Sequence, residues 1–425
     1  MRALPEWRDP ELCTYGRATL AWTVLLMYLG RLGARRQIRF RLGTPAGRER
    51  LSALAGEPLE AVPHGDTAAD YWATVEPAQT QRLPQQLVRA LLEARRLEEF
   101  RLLGRYYLVA VDLSGMLYLG DRASDFTVGC LTQKTADGRT LYFRPVCEAK
   151  LVTRTGLALS LGSEFVENPP PGGAAGPPGP EAPQDSELPA AGRLFPAVKA
   201  AFRGFAFCAL LDTRYANETG FSFCEANDWR FIMTLKEGSL PEVWQEFEAL
   251  LPLCPENRHT SKGKDGTGYE YAWVNDIPYG RRLLQVFQCV WTDREGKNHR
   301  FVWITDLPVN AQTVETLAQE GGRLRWKIEN EGFRTQKHAG FAMEHAYAKD
   351  PTTAKNFYLL LQAAHILSQM LECQAEGKRA VKHAYGSLRN LAAAFLEAFR
   401  RDPLPAPELL REFLERPIQV RLDTS

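Results

Sequence analysis

The sequence predicts an α/β protein whose mixed sheet is flanked by helices, with a β-rich segment and helical N- and C-terminal regions. Two short apolar runs rich in aromatic or branched residues, Gly104–Asp112 and Gly204–Asp212, are typical of strands buried on both faces. Residues 269–306 contain further strand-like runs separated by turn residues. Apolar residues at helical spacing dominate both ends of the chain. This alternation of helix-rich and strand-rich stretches is typical of α/β proteins.

The composition fits a large folded protein and narrows its chemistry. The 425 residues are 45% hydrophobic, enough to bury a sizeable core in roughly two or three domains. The net charge of +1 favours no class of partner by itself. The eight cysteines are scattered, without a CxxC pair or a cluster with histidine, so neither a zinc site nor a disulfide framework is predicted. They are expected to be reduced, mostly buried thiols in a cytosolic protein.

Residues 1–97 are predicted to form a helical, basic, DNA-binding domain. The apolar run Thr19–Gly30 is expected to be a core helix, since it is too short to span a bilayer and lacks the cleavage site of a signal peptide. Arginines far outnumber acidic residues up to Gly56, which suits a polyanionic partner. Arg35 and Arg36 follow the core helix and are candidate phosphate contacts. A helix-turn-helix and a plain helical bundle with a basic surface both fit this pattern.

Residues 98–256 are predicted to form the first part of the central α/β domain. Both of its buried strands end in an aspartate, Asp112 and Asp212, about a hundred residues apart. An aspartate at the end of an apolar strand is unfavourable unless it is paired or binds a cation. For Asp112 the alternative is a tight turn from Asp112 to Gly115.

The remaining elements of this region are expected to be ordinary core elements joined by one long loop. Residues 167–185 include PPPGGAAGPPGPEAP, which cannot form a packed element and is predicted to be a mobile connection. The other predicted elements are a helix over Gln81–Arg101, a strand near Thr140–Phe143, a hairpin within Cys147–Leu161 turning at Thr155 and Gly156, a helix over Ser186–Phe202 and a strand within Trp229–Ser239.

Residues 257–310 are predicted to form a β-rich insertion. Its basic residues are candidate phosphate contacts, although a solvated strand face explains them nearly as well; they are Arg281, Arg282, Lys297 and Arg300. Trp291 and Trp303 are each able to stack on an extruded base, but core packing is the favoured interpretation for both.

Residues 311–345 are predicted to contain a helix with a chemically distinctive face. At about 100° per residue, Arg325 lies about 40° from Glu329, and Trp326 and Phe333 lie within about 60° of it. Glu331 is about 160° away and is expected to face solvent. An acid, a guanidinium and aromatic rings on one face suit a metal ion beside a phosphate. The alternative is an ordinary surface helix with Arg325 and Glu329 as an i,i+4 pair.

The stretch RWKIENEGFRTQK resembles the end of the signature of DDE transposases of bacterial insertion sequences, in the group whose motif is Tyr, two residues, Arg, three residues, Glu, six residues, Lys. Arg325 and Glu329 match in identity and spacing. Gly322 stands where the motif has Tyr, and Lys337 comes one residue late, with Gln336 in the expected place.

The late lysine leads to a structural hypothesis. A single π-turn near Gly332 would absorb the extra residue and return Lys337 to the face of Glu329. A regular α-helix through Asn330 to Gln336, with Lys337 pointing away, would count against it.

A second stretch strengthens the resemblance. DTRYAN, which begins at Asp212, is similar to the D-(A/T)-x-Y-A stretch of the same group, and the likeness extends over roughly residues 104–341. The resemblance implies an RNase-H-like core with a β-sheet insertion, in which the first two acids lie on neighbouring strands and the third on a helix beside them. Asp112, Asp212 and Glu329 would then be the catalytic, metal-binding acids.

The resemblance also implies the function of a DNA transposase. Such an enzyme cleaves DNA at the ends of an insertion sequence and transfers the freed strand into target DNA. It would use two Mg²⁺ ions, with Mn²⁺ as a substitute. Members act as dimers that bridge two inverted terminal repeats, and a bacterial cytoplasmic, nucleoid-associated location without membrane contact is expected. Trp326 and Phe333 are expected to fix the helix on the core rather than touch DNA. The candidate DNA contacts are Arg325, Lys337, Arg334, Tyr215, Arg35 and Arg36.

Two alternatives stay open. A nuclease on the same core would share the three acids but would not need the β-rich insertion or the basic helix. A catalytically impaired, domesticated, sequence-specific DNA-binding protein is the other alternative, to which the departures at Gly322 and Lys337 point.

Residues 346–425 are predicted to be a C-terminal helical region, and three histidines are expected to be structural: His338, His345 and His365. Its predicted helices are Thr352–Glu376, Ser387–Arg401 and Pro407–Leu414.

Overall fold

The computed structural model describes residues 4–122, 130–168, 185–263, 265–293, 295–372, 381–402 and 404–406, together with 408, 409 and 412. It is a mixed α/β structure in which parallel and antiparallel strands form one open sheet among helices, as the sequence predicted. The loop predicted over Pro169–Pro183 lies outside the described residues, and so does most of the predicted helix Pro407–Leu414.

The N-terminal region is helical, as predicted. The core helix expected over Thr19–Gly30 is present, and its apolar side chains, among them Leu20 and Val24, are fully buried. The helices are α1 (Arg17–Leu29), α2 (Gln37–Leu42), α3 (Pro45–Ala55), α4 (Gly65–Thr74) and α5 (Pro77–Glu93).

The strands of the sheet occupy the two regions where the sequence predicted them, but the short strand at 131–134 was not anticipated, and the strand predicted near Thr140–Phe143 is the first part of β3. The hairpin predicted to turn at Thr155 and Gly156 is present. The short strand at 258–262 was not anticipated. The strands are β1 (Tyr107–Gly120), β2 (Leu131–Lys134), β3 (Thr140–Val152), β4 (Ala158–Phe165), β5 (Phe207–Leu211), β6 (Arg230–Leu235), β7 (Arg258–Lys262), β8 (Gly268–Tyr279), β9 (Arg282–Thr292) and β10 (Asn298–Thr305).

The sheet order joins the strands of residues 107–235 and those of residues 258–305 in one sheet. The order is β2-β3-β1-β5-β6-β10-β9-β8-β7, with β4 paired to β3. Strand β1 is antiparallel to β3 and parallel to β5, and β5 is parallel to β6. Because β10 pairs with β6, the β-rich segment of β7 to β10 extends the central sheet instead of forming a separate one.

Strand β1 is longer than predicted, and this corrects the expected position of Asp112. The strand does not end at Asp112, and no tight turn runs from Asp112 to Gly115. The parallel pairing with β5 ends at Ala110, whereas the antiparallel pairing with β3 continues to Gly120. Asp112 therefore lies inside a strand, just beyond the point where one of its two neighbours ends.

The remaining helices pack on the sheet and on the N-terminal region. They are α6 (Glu187–Ala201), α7 (Glu218–Ala226), α8 (Pro241–Leu250), α11 (Pro351–Glu372) and α12 (Leu388–Arg401), and the helical segments of residues 314–338 belong to the candidate site. Helix α11 contacts α1, α4, α5 and β4. Its buried Asn356 donates to the carbonyls of Trp72 and Val75, both at 2.7 Å. Helix α12 packs on α2 and α3. The two ends of the chain thus share one hydrophobic core.

Two further findings concern the described residues only. Their cysteines form no disulfide, and most of them are buried, as expected. No helix in this part of the chain combines the length and the apolar character needed to cross a membrane.

Candidate active site

The helical segment of residues 314–338, here called the mixed helix, changes its hydrogen-bonding pattern several times. In order it comprises α9 (Val314–Thr316), a π-turn (Leu317–Gly321), a 3₁₀ segment (Gly322–Trp326), a second π-turn (Ile328–Arg334) and α10 (Thr335–His338). The π-turn hypothesised near Gly332 is therefore confirmed. A π-turn holds one more residue than an α-turn, so it accommodates the extra residue before Lys337.

Buried polar contacts hold the end of the mixed helix in place. Gln336 is fully buried, and its side-chain amide donates to Gln362 Oε1 at 2.8 Å and lies 2.9 Å from His365 Nδ1. The residue that takes the motif position of lysine thus points into the core. His365 is structural, as expected. Lys337 pairs with Glu344 at 2.9 Å.

Arg325 joins two of the three predicted acids. Its guanidinium donates to Glu329 Oε1 at 2.9 Å and lies 3.7 Å from Asp112 Oδ2. The Arg325 side chain is only 11% exposed, and that of Asp112 18%. The sequence left open that Arg325 and Glu329 form an ordinary surface ion pair. The Arg325 side chain is instead buried beside Asp112, which distinguishes this pair from a surface pair.

The remaining predicted acid, Asp212, follows β5, the strand that pairs with β1. The parallel pairing ends at Ala110 with Leu210, and Asp112 and Asp212 each come two residues after that pair. Neighbouring strands lie roughly 4.8 Å apart. Asp212 follows directly after β5, and its carboxylate accepts the backbone N–H of Arg214 at 2.8 Å, which caps a short 3₁₀ turn. Asp112 and Asp212 thus belong to neighbouring strands or their ends, and Arg325 connects Asp112 with Glu329.

Burial dominates the electrostatics of Asp112. It raises the pKa of the Asp112 carboxyl from 3.8 to about 7, although the positive charge of Arg325 opposes this change. The negative charges of Glu329 and Glu187 raise the pKa further. Additional positive charge brought close to Asp112 would favour its ionised form and lower its pKa.

Glu187 is a residue of this region that the sequence did not reveal. It is the first residue of α6 and is 5% exposed; one carboxylate oxygen pairs with Arg214 at 2.7 Å, and the other has no hydrogen-bond partner. Burial, and the nearby charge of Asp212, raise the pKa of Glu187. An acid at the start of a helix is common in sequences because it interacts favourably with the helix dipole, so nothing marked this glutamate as a site residue.

A cavity of about 480 Å³ opens beside Asp212. Its lining combines aromatic rings, cationic side chains and hydroxyl groups: Asp212, Thr213, Thr234, Lys236, Trp291, His299, Phe301, Trp303, Gly322, Arg323, Arg325 and Trp326. Trp303 is 1% exposed and stacks between Phe301 and Phe287, so the core-packing interpretation of this residue is confirmed. Trp291 is half-buried and stacks on Phe301, with one side toward the cavity.

Comparison with known proteins adds nothing to this geometry. No model of a protein family matches the chain, and no curated protein matches it either.

Two predicted site residues do not lie where they were expected. Tyr215, a candidate DNA contact, is fully buried because its ring packs in the core beneath the turn that follows β5, so its side chain is not available to DNA in this structure. Trp326 was expected to fix the helix on the core, but it is 55% exposed. It ends the 3₁₀ segment, where the rotation per residue differs from that of the α-helix used for the prediction. Phe333 is 5% exposed and packs in the core, as expected.

The other predicted DNA contacts differ in exposure and in pairing. Arg36 and Arg334 are exposed, and neither pairs with an acid among the described residues. Arg35 pairs with Asp66 at 3.1 Å. Burial, together with the charges of Arg35 and Arg36, lowers the pKa of His345, which places these arginines close to the segment after the mixed helix.

The strand arginines of the β-rich segment are occupied by protein partners. Arg281 and Arg282 pair with Glu225, and Arg282 also pairs with Glu218. Arg300 pairs with Glu248. These ion pairs favour the solvated-strand interpretation of the three arginines over phosphate contacts.

The three predicted acids match a hard divalent cation in donor type, although the described residues do not gather them into a ready metal site. Among the described residues, no three His, Cys, Asp or Glu side chains are close enough together to hold a metal ion. Three carboxylates are nevertheless the donor type that Mg²⁺ prefers. In this structure the guanidinium of Arg325 supplies the positive charge between Asp112 and Glu329.

Proposed function

We propose that this protein is a DNA transposase that cleaves DNA at the ends of an insertion sequence and transfers the freed strand into target DNA. The observation that carries the proposal is that Arg325 contacts both Glu329 and Asp112. Asp112 lies on strand β1, which pairs with β5, and Asp212 follows β5. The three acids come from stretches that lie about a hundred residues or more apart along the chain. The link between Asp112 and Glu329 through Arg325, and the pairing of β1 with β5, support a shared site.

The sheet topology supports an RNase-H-like core. Antiparallel strands β1, β3 and β4 precede α6, and β5 then returns parallel to β1. The acids lie on or after the neighbouring strands β1 and β5 and on a helix beside them, which is the arrangement that the resemblance implies. On this proposal, strands β7 to β10 are the β-sheet insertion, here continuous with the core sheet.

Asp112, Asp212 and Glu329 would hold two Mg²⁺ ions, with Mn²⁺ as a substitute. When bound, such ions activate an attacking hydroxyl and stabilise the leaving oxygen in an in-line displacement at phosphorus. Arg325 is suited to grip the phosphodiester at the cleavage point, because its guanidinium binds phosphate oxygens in a bidentate manner. In the DNA complex Arg325 would therefore turn from the acids to the phosphate.

One site is able to serve both steps of transposition. In the first, a water oxygen forms a bond to phosphorus and the 3′ oxygen of the element leaves with a proton. In the second, that 3′ hydroxyl attacks a phosphorus of the target DNA, or first of the complementary strand, and displaces another 3′ oxygen. Both are phosphoryl transfers to oxygen, so no covalent enzyme intermediate is needed.

Exposed cations of the N-terminal region and of the mixed helix would position the DNA. Arg36, Arg39 and Arg41 are exposed on or just before α2, and Arg334 is exposed on the mixed helix. Such contacts supply affinity without reading the sequence of the DNA. Two protomers bridging the two inverted terminal repeats, in the bacterial cytoplasm and associated with the nucleoid, complete the proposal.

Cleavage of a plasmid that carries the ends of the element, as they flank the gene, tests the proposal. With Mg²⁺ or Mn²⁺ we expect cutting at these ends by the native protein and a loss of at least roughly a hundredfold for Glu329→Gln. Glu331→Gln is the matched control, because Glu331 lies two residues away on the same helix and pairs with Lys327 instead. The control variant should cut as the native protein does.

Other results would favour the alternatives. Binding of the ends by both native protein and Glu329→Gln, with no cutting by either, would identify an impaired, domesticated DNA-binding protein. Cutting without regard to the ends, and without strand transfer, would identify a nuclease. Equal cutting by native protein and Glu329→Gln would rule out the proposed site.

A further inference from the structure

The turn that carries Asp212 runs from Asp212 to Asn217, between β5 and α7, and side chains at both of its ends hold the backbone of Arg214. The Asp212 carboxylate accepts the backbone N–H of Arg214 at 2.8 Å. The side-chain amide of Asn217 donates to the carbonyl of Arg214 at 2.6 Å, and its oxygen accepts the N–H of Gly220 near the start of α7. The direction of the Asp212 carboxylate therefore depends on where Arg214 lies.

The side chain of Arg214 connects this turn to helix α6. Its guanidinium donates to Glu187 Oε2 at 2.7 Å. The Glu187 side chain is only 6% exposed, whereas that of Arg214 is 60% exposed. Removing the counter-charge of a buried carboxylate is strongly unfavourable, whereas a fully exposed ion pair contributes little. We therefore expect Glu187 to hold the guanidinium in one place, although most of the Arg214 side chain is open to water.

Glu187 is itself fixed, because the start of α6 is tied to strand β4. Arg193 of α6 donates to Glu164 of β4 at 2.6 Å and to Asp185 at 2.8 Å. Asp185 also accepts the backbone N–H of Glu167, just after β4, at 3.2 Å. A continuous set of polar contacts thus runs from β4 through the start of α6 to the turn after β5.

We propose that Glu187 is a positioning residue that fixes the carboxylate of Asp212 by holding Arg214. The motif D-(A/T)-x-Y-A leaves its third position open, and Arg214 stands at that position in this chain. The motif therefore specifies neither partner of this ion pair. The catalytic value of a fixed Asp212 rests on the proposed function, because a carboxylate already held in one orientation binds a cation without first having to be ordered.

Amide hydrogen exchange of the whole chain in EDTA, followed by mass spectrometry, tests the ordering of the turn without metal or DNA. Glu187→Met and Arg214→Met each remove one partner of the ion pair. Each should speed exchange in the peptide of residues 207–217 on the order of tenfold. The double variant should exchange no faster than the faster single variant, since both changes remove the same interaction.

Glu218→Met is the matched control for these variants. Glu218 is also the first residue of a helix, α7, and also pairs with an arginine, Arg282 of β9, at 2.6 Å. Because this partner lies on a strand of the β-rich segment, the control should leave exchange of residues 207–217 as it is in the native protein. Thermal unfolding should show that all the variants are folded.

Binding of Mn²⁺, measured from the electron paramagnetic resonance signal of the free ion, separates positioning from a simple effect of charge. Loss of positioning should weaken binding about tenfold in both single variants. Charge alone acts in opposite directions, because Glu187→Met removes a negative charge near Asp212 and Arg214→Met removes a positive one. Tighter binding of Mn²⁺ by Arg214→Met than by the native protein would therefore overturn the inference.

The remaining outcomes separate this inference from the proposed function. Unchanged exchange of the turn in Glu187→Met overturns the inference, and so does an equal increase in Glu218→Met. Faster exchange of the turn in Glu187→Met and Arg214→Met, with no Mn²⁺ bound by the native protein, would support the positioning of Asp212 and count against the metal-dependent transposase. Plasmid cleavage that is lost in Glu329→Gln would support the transposase whatever the exchange shows.

Discussion

At the scale of single residues, Asp112 shows how the site stores unfavourable electrostatic energy. Its carboxyl is buried in strand β1 with one arginine nearby, and burial raises its pKa to about 7. The ordinary value is 3.8, so the folded protein binds this proton more tightly than the unfolded chain does. The charged form of Asp112 therefore destabilises the folded protein at neutral pH, unless cations neutralise it.

This difference predicts a pH dependence with a definite sign. The contribution of Asp112 to the free energy of unfolding should be greatest below about pH 4 and should be lost as the pH rises to about 7. Asp112→Asn cannot ionise. In EDTA, we expect its free energy of unfolding relative to the native protein to rise on the order of 2 kcal/mol between about pH 5 and pH 8, as measured by urea titration. A constant difference across this range would show that Asp112 is ionised throughout.

The sequence named three candidate acids but not all the residues around them. Asp112, Asp212 and Glu329 could be named because an acid after an apolar strand, or beside an arginine in a recognisable motif, is unusual. Tyr215 was misplaced because the sequence does not show which side of a turn faces the core. Glu187 was missed because a glutamate at the start of a helix looks ordinary.

At the scale of elements, the mixed helix rests on a fully buried ion pair. Lys150 Nζ lies 2.9 Å from Glu148 Oε2, and both residues of β3 are 0% exposed. Lys150 also donates to Gln362 at 2.6 Å, and its side chain packs under Gly332 in the second π-turn. Glu148 accepts two serine hydroxyls, one of them from Ser160 at 2.9 Å. This network holds the π-turn against the sheet and so supports the position of Glu329.

Removing the lysine alone should be strongly destabilising, because it leaves Glu148 buried without its counter-charge. We expect Lys150→Met to lower the free energy of unfolding by about 3–5 kcal/mol in urea titrations. Lys327→Met, which removes a half-exposed pair with Glu331 from the same helix, should lose no more than about 1 kcal/mol. A loss from Lys150→Met as small as that of this control would contradict the network described here.

Elements of strong periodicity were predictable, and irregular ones were not. The first core helix, the hairpin of β3 and β4 and the strands β8 to β10 appear close to their expected places because their apolar patterns are long. The extension of β1 beyond Asp112 depends on pairing with β3, which no local pattern specifies. Strand β7 is polar on both faces and has no apolar signal at all. The π-turn was predicted only because a motif supplied the register to compare with.

At the scale of the whole molecule, the N-terminal helices depend on a helix from near the other end. Asn356 of α11 is fully buried, accepts from Thr80 at 2.6 Å and donates to the carbonyls of Trp72 and Val75. Helix α11 also packs along α1. Without α11, the apolar faces of α1, α4 and α5 would be open to water.

A fragment of residues 1–97 should therefore fail to fold by itself, although it contains complete helices. We expect poor dispersion in its amide proton NMR spectrum and no cooperative thermal transition. A fusion that adds residues 346–372 through a flexible linker is the matched comparison and should gain both signals. A well-dispersed spectrum of the 1–97 fragment alone would show that the N-terminal region is an independent domain.

The same dependence determines when the N-terminal helices can fold during synthesis of the chain. Helix α11 leaves the ribosome roughly 250 residues after α5, a delay of about 10 to 50 seconds at about 5 to 20 residues per second. Throughout that interval the apolar faces of the first helices are made but have no partner. During this interval chaperones or proteases have access to the nascent chain before its core can form. The supply of folded protein therefore depends on conditions during its synthesis.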